Sequence, residues 1–454
     1  MTRRQKASLA LMLSLPAMLA QLSHIVMQYI DAAMVGSMGA VASAAIGLVS
    51  TTTWLFGSVS HSVSTGFYVQ VAHLLGGNNA AGARRVLRQG IVMCLLAALL
   101  LTAIGCSISQ MLPQWLGGSE EICHDAARYF LVFSLTIPFM QMNSLAGGML
   151  RCSGNMKLPS TLNVMACALD VVLNFIFIFM MGMGVMGAAL GTLLSIAVTS
   201  MLMMYFLLRR SKDLNLLQDR GSFAPTEDVI EEGLRISLPI GVEHIVMCGA
   251  QIMSTVIVAP LGTIAIAANA FGIIVESLCY MPGYGIAEAA TTLVGQSLGA
   301  RRKDLCHSFA YITVTMGIAI MSVMAVVMYF GSPWLMPLMT PDGEVQRLTV
   351  EILRIEAFAE PMFAASIVSY GVFVGAGDTL IPCTMNLCSI WLVRITTAAV
   401  LSLTYGLPGV WIAMALELTF RGIIFLMRLR TTAWVKKRKR APKQLRRLLR
   451  RRAG

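Results

Sequence analysis

The sequence predicts an all-α polytopic membrane protein, with twelve transmembrane helices in two six-helix bundles related by a parallel internal repeat, a pseudo-two-fold along the membrane normal. Three observations predict it. Of 454 residues, 57% are hydrophobic and 12% charged, where soluble domains show about 45–50% and about 25%, so too few polar side chains exist to clothe a soluble globule. The apolar residues come in continuous runs rather than in alternation, which excludes a porin-like β-barrel as well as a collagen-like or mainly disordered chain. The chain also matches itself at a fixed shift of 223 residues.

Apolar runs bounded by Pro, Gly or charge give spans near 8–36, 43–75, 89–112, 127–150, 160–181 and 185–208. Each is long enough for the roughly 20 residues that a spanning helix needs. Residues 209–235 form the longest charged break before the C-terminus and read as a linker. Six more runs follow near 236–261, 265–298, 308–333, 349–375, 383–404 and 408–427. The expected organisation is a first bundle over 1–208, a cytoplasmic linker over 209–235, a second bundle over 236–430 and a basic tail over 431–454. The first run follows Arg3, Arg4 and Lys6 like a signal peptide, but it continues to Val35, too far for a cleaved apolar region.

Basic loops stay in the cytoplasm. The N-terminus, alternate loops, linker and tail place 29 of the 34 Lys and Arg on one face, while opposite loops carry Glu120, Glu121 and Asp125. Both termini are therefore expected in the cytoplasm of a bacterial-type inner membrane.

The repeat keeps its register. A shift of 223 pairs Leu15-Pro16 with Leu238-Pro239, Gly39 with Gly262, Gly76 with Gly299, Gly154 with Gly377, Pro159 with Pro382 and Asn163 with Asn386. An even number of spans per half inserts both halves in the same orientation. Two such bundles suit alternating access by rocking of one against the other, a transporter architecture. The 33 methionines fit a pliable cavity or ordinary lipid-facing and core packing.

Acids inside spans are functional hypotheses by default. Asp31 in span 1 and Asp170 in span 5 stand among apolar neighbours, with Asn174 one turn after Asp170 on the same face and Thr192 in span 6 adding a hydroxyl. Two carboxylates, an amide and a hydroxyl suit a proton or a small cation such as Na+. The plainer reading gives each Asp a backbone or basic partner, yet no Lys or Arg lies inside spans 1 to 6 apart from Arg128 near an end. The second half carries Glu243, Glu276, Glu288, Glu356 and Glu360, candidates to line a cavity for a cationic ligand or to form ion pairs. Glu417 and Arg421, four apart, read as a local pair, and Arg394 as the neutraliser of another acid.

Other patterns carry no chemistry. Gly182-Met183-Gly184-Val185-Met186-Gly187 matches a dinucleotide fingerprint, but no acid follows at the required distance and its repeat partner is the turn at Gly406 to Gly409. Gly375-Ala376-Gly377-Asp378 resembles an intramembrane protease motif, but the repeat puts Asp378 in a loop. The ten scattered cysteines contain no Cys-x-x-Cys and read as buried thiols, with no structural metal and no cofactor expected. The tail, Lys436 to Arg452, holds eleven basic residues and suits anionic lipid at the membrane surface rather than nucleic acid. No enzyme motif is present, and a monomer is expected.

Asp31-Ala-Ala-Met-Val-Gly36, Leu261-Gly-Thr-Ile-Ala265 and the segment from Ala289 to Gly299, AATTLVGQSLG, resemble the multidrug and toxic compound extrusion family of twelve-span antiporters, and the likeness covers nearly the whole chain. The resemblance implies export of organic cations and other amphiphiles in exchange for protons or sodium ions. It also implies that Asp31, Asp170, Asn174 and Thr192 hold the coupling ion and that Pro16 kinks span 1. The family usually orders span 5 as Asn then Asp, and here the two are exchanged. Some members face an acid on span 7 with one on span 10, parts open to Glu243 with Glu356 or Glu360. A lipid-linked oligosaccharide flippase of the same superfamily is the alternative, disfavoured by the acidic first bundle.

Overall fold

A computed structural model describes residues 2–219 and 221–435, with Arg220 and the predicted basic tail from Lys436 onward outside the described residues. Among those residues, eleven helices are each long and apolar enough to cross a membrane, and a bent pair supplies a twelfth crossing. We number them α1 (Arg3–Ser37), α2 (Ala40–Gly76), α3 (Ala80–Ile108), α4 (Glu120–Cys152), α5 (Lys157–Phe175, continued by a π-helical turn Ile176–Met180) and α6 (Gly184–Tyr205). The second half holds α7 (Glu227–Val258), α8 (Thr263–Gly299), α9 (Lys303–Met339), α10 (Gly343–Ala357 and Glu360–Gly375), α11 (Leu380–Cys388, through a π-helical Ser389–Ile395 to Thr396–Tyr405) and α12 (Leu407–Arg430).

Local chemistry sets the ends. Thr2 and Gln5 form a capping box on α1, Asn79 caps α3, and Asp342 accepts from the amides of Glu344 and Val345 at the start of α10. The repeat is visible in the backbone. Gly39 and Gly262, paired by the shift, enter α2 and α8 at φ +111° and +97°, and Gly154 and Gly377 turn at +89° and +74°, conformations that a side chain would strain. Gly182, Gly184 and Gly406 also take positive φ, so the apparent dinucleotide fingerprint is a pair of turns.

Two boundaries differ from the hydropathy reading. The run at 349–375 is not one helix: it bends by 59° between Ala357 and Glu360. Pro361, in the first turn of the second segment, cannot share a helix with the Ala357 carbonyl without a clash, and the first segment turns Gln346, Arg347, Glu351 and Arg354 into an open groove beside Tyr329. Helix α7 begins at Glu227, ahead of the apolar run at 236, because Gln70 and Arg85 of the first bundle hold its first turns through the Val229 carbonyl and Asp228. Pro16 lies inside α1, which runs through it as one helix.

The bundles meet through glycines, as expected where packing rather than a hydrophobic drive holds helices together. A Cβ on Gly66 of α2 would fall 2.4 Å from the Gly233 carbonyl of α7, and one on Gly285 of α8 would fall 2.6 Å from the Met18 nitrogen of α1. Both approaches lie in the half of the molecule nearest the N-terminus and the linker. All ten cysteines are free thiols, most of them buried, and stripes such as Leu95, Leu96, Leu99 and Leu100 on α3 remain exposed for lipid.

Candidate functional site

Three helices of the first bundle converge on one polar cluster. The Asn174 side-chain amide donates to Asp31 Oδ1 at 3.0 Å and to Asp170 Oδ2 at 3.1 Å. One NH2 group thus bridges α1 and α5. Ser195 of α6 donates its hydroxyl to Asp170 Oδ1 at 3.1 Å. Asp170, Asn174 and Ser195 are buried, and Asp31 is half-buried. Among the described residues no Lys or Arg reaches either carboxylate. The Asn174 Oδ1 atom is buried without a partner, and it occupies the space left by Gly191, where a Cβ would approach it to 2.0 Å. Two carboxylates and a free amide oxygen form a donor set suited to a proton or a small hard cation.

Of the first-bundle residues singled out from sequence, Asp31, Asp170 and Asn174 are brought together. The Thr192 contribution to the hydrogen bonds here is its backbone carbonyl, which accepts from Ser195 Oγ at 3.0 Å. Ser195 fills the hydroxyl position instead, one turn further along α6; its only signal in sequence was its i+3 place on the Thr192 face.

The second-bundle acids separate into four environments. Glu243 of α7 is buried and accepts from the Tyr370 hydroxyl of α10 and from the Asn386 amide of α11, each at 2.6 Å. Glu288 of α8 is half-buried in a contact between bundles, 3.7 Å from Arg151 and 3.4 Å from the Gln21 amide. Glu356 and Glu360 flank the bend in α10, fully buried, with no hydrogen-bond partner on any carboxylate oxygen, and buried Glu276 of α8 lies near them. Glu417 pairs with Arg421 at 3.0 Å and accepts from Ser389 at 2.6 Å. Arg394 points at the Met414 sulfur and forms no ion pair among the described residues. Among them, no group of His, Cys, Asp or Glu is arranged to hold a metal ion.

A polytopic helical protein with two repeated bundles and two carboxylates set inside the spans of one of them belongs to the class of membrane transporters. The MatE family model matches residues 16–176 and 239–400, one match in each bundle, and the chain belongs to that family. It is 28% identical to the probable multidrug resistance protein NorM of Thermotoga maritima, over 94% of this chain and 92% of that one. It is 23% identical to the multidrug resistance protein MdtK of Yersinia pestis, over 94% and 95%. Solved structures share the fold: an outward-facing multidrug resistance MATE family transporter of the MOP superfamily superposes with a TM-score of 0.88 at 23% identity, covering 95% of this chain and 97% of that chain. A MOP superfamily transporter from Pyrococcus furiosus, described as having a binding pocket of reversed polarity, gives 0.89 at 21% identity over 95% and 97%.

Proposed function

We propose that the protein exports organic cations and other amphiphiles across a bacterial-type inner membrane in exchange for protons or sodium ions. The observation that carries the exchange is the Asn174 amide shared between Asp31 and Asp170. Two carboxylates joined by one neutral donor repel each other in a poorly hydrated site, and a bound proton or small cation removes that repulsion. The relatives named for multidrug resistance support the substrate class.

Helix α1 links ion and substrate. Its outer half holds Asp31 against α5, and its inner half lies on the second bundle, where Gly285 packs against Ala17 and Met18. Neutralising Asp31 frees the Asn174 amide and loosens α1 from α5, so a local charge change biases the fit between bundles. The basic loops gather at the closely packed end, which supports a cytoplasmic position for that end. The direct test is accumulation of ethidium in proteoliposomes under an imposed pH gradient, an imposed sodium gradient, or neither. Uphill accumulation under one gradient supports exchange and names the ion; movement only down the ethidium gradient refutes it.

A further inference from the structure

The first segment of α10 is amphipathic, and its polar face lines a groove. Gln346, Arg347, Glu351 and Arg354 form one wall and Tyr329 and Pro333 of α9 the other, around a cavity of about 770 Å³, a size that suits a small molecule. Helix α9 starts beside Gly299 at the linker end, so the turn from Met339 to Gly343 that joins the two walls lies at the opposite end of the molecule.

The groove departs from the repeat. A shift of 223 pairs Pro361 with Pro138, yet α4 passes Pro138 as one helix. The same shift pairs Arg347 and Arg354 with His124 and Leu131. The bend and both guanidiniums are therefore particular to the second bundle, beyond what building two like bundles requires.

Arg347 and Arg354, seven residues apart, share one face of the segment. Among the described residues neither pairs with a carboxylate, and Glu351 offsets only one of the two charges. Arg354 is already positioned. Its guanidinium lies over the Tyr329 ring, 5.2 Å from the centroid, and its Nε donates to the Tyr329 carbonyl at 3.4 Å, which leaves both terminal NH2 groups to an anion. The Phe358 ring meets Tyr329 edge-on at 5.9 Å and closes the groove toward the bend. Along the lip, Phe330, Trp334 and Leu338 form a stripe four residues apart on α9, exposed by 67, 82 and 83%. Guanidiniums inside the groove and an apolar stripe beside it call for one molecule with an anionic head and hydrocarbon chains. A soluble anion would leave the stripe unused, and a zwitterionic lipid would bring another cation beside the two arginines.

We propose that this groove binds an anionic phospholipid of the phosphatidylglycerol type, with Arg347 and Arg354 on the phosphate and the chains along Phe330, Trp334 and Leu338. The planar fork of arginine matches phosphate oxygens in pairs. The site lies at the far end of the molecule from Arg430 of α12, beyond which the basic tail follows, so lipid held here is distinct from lipid attracted by the tail.

The full-length protein is reconstituted in phosphatidylcholine vesicles with a trace of phosphatidylglycerol carrying a photoreactive head group, or of the matching phosphatidylcholine probe. After irradiation the crosslinked peptides are mapped, and label on the tail is counted separately. In the wild type the phosphatidylglycerol probe should label residues 329–358 roughly tenfold more than the phosphatidylcholine probe, and the excess should vanish in the double variant Arg347→Gln, Arg354→Gln. Equal labelling by the two probes, or an excess that survives both substitutions, overturns the site. A cooperative thermal transition shows that the double variant is folded. If it is not, Arg347→Gln alone decides, since it leaves Arg354 on Tyr329: the excess should fall by about fivefold, and an undiminished excess overturns the proposal.

Discussion

Gly76 and Gly299, 223 residues apart, close the linker end of the molecule against each other's helices. A Cβ on Gly76 would fall 2.0 Å from the Gln296 carbonyl oxygen, and one on Gly299 would fall 2.0 Å from that of His73. His73 and Gln296 are themselves 223 apart. The contact is reciprocal, on the pseudo-two-fold axis, and only glycine permits it.

Substituting alanine at either position should therefore open this end. Overpacking costs about 1–3 kcal/mol, enough to shift a two-state equilibrium by roughly five- to a hundredfold. Spin labels on the linker-end termini of α2 and α8 should report a longer distance in Gly76→Ala and in Gly299→Ala, by similar amounts. An unchanged distance would mean that the closed end has slack.

The hydroxyl that matters in α6 should be Ser195. Removing its hydrogen bond to Asp170 in Ser195→Ala is expected to shift the half-saturating concentration of the coupling ion by about fivefold. Thr192→Ala keeps the backbone carbonyl that Ser195 uses and should shift it far less. A transport titration of both variants against proton and sodium concentration distinguishes them.

Gly191→Ala should uncouple transport without unfolding the protein. The added Cβ has to displace Asn174 Oδ1, and with it the amide that bridges the two carboxylates. Ethidium binding with loss of gradient-driven accumulation is expected; full coupling would show that Asn174 has room to move.

The Glu417–Arg421 pair should matter for stability. Replacing Arg421 with Leu leaves Glu417 buried with Ser389 as its remaining partner, a change worth about 3–5 kcal/mol for a broken buried pair. Thermal unfolding in detergent should show a marked loss, largely recovered when Glu417→Gln is added, since the leftover charge is then gone.

Much of this was legible in the sequence, for definite reasons. Continuous apolar runs and turn glycines mark helices whatever their neighbours do, so the spans and the repeat could be read from Pro159 with Pro382 or Gly39 with Gly262. Asp31, Asp170 and Asn174 stand out because charge and amide are rare inside spans. Ser195 does not, since a serine in a helix can bond its own backbone and gives no sign of a distant partner. The repeat exposed Asn386 through Asn163, but its partner Glu243 aligns with Ala20, so their hydrogen bond needed coordinates. The bend in α10 was hidden because hydropathy counts Pro361 as one more residue in an apolar run, while Pro16, Pro239 and Pro282 stay inside unbroken helices.

Exchange driven by a charge change at Asp31 is tested most directly by comparing wild type and Asp31→Asn in proteoliposomes for ethidium accumulation under whichever gradient drives the wild type, with ethidium binding measured in parallel. The variant is expected to bind ethidium and not to concentrate it. A variant that concentrates ethidium as the wild type does would contradict that role of Asp31.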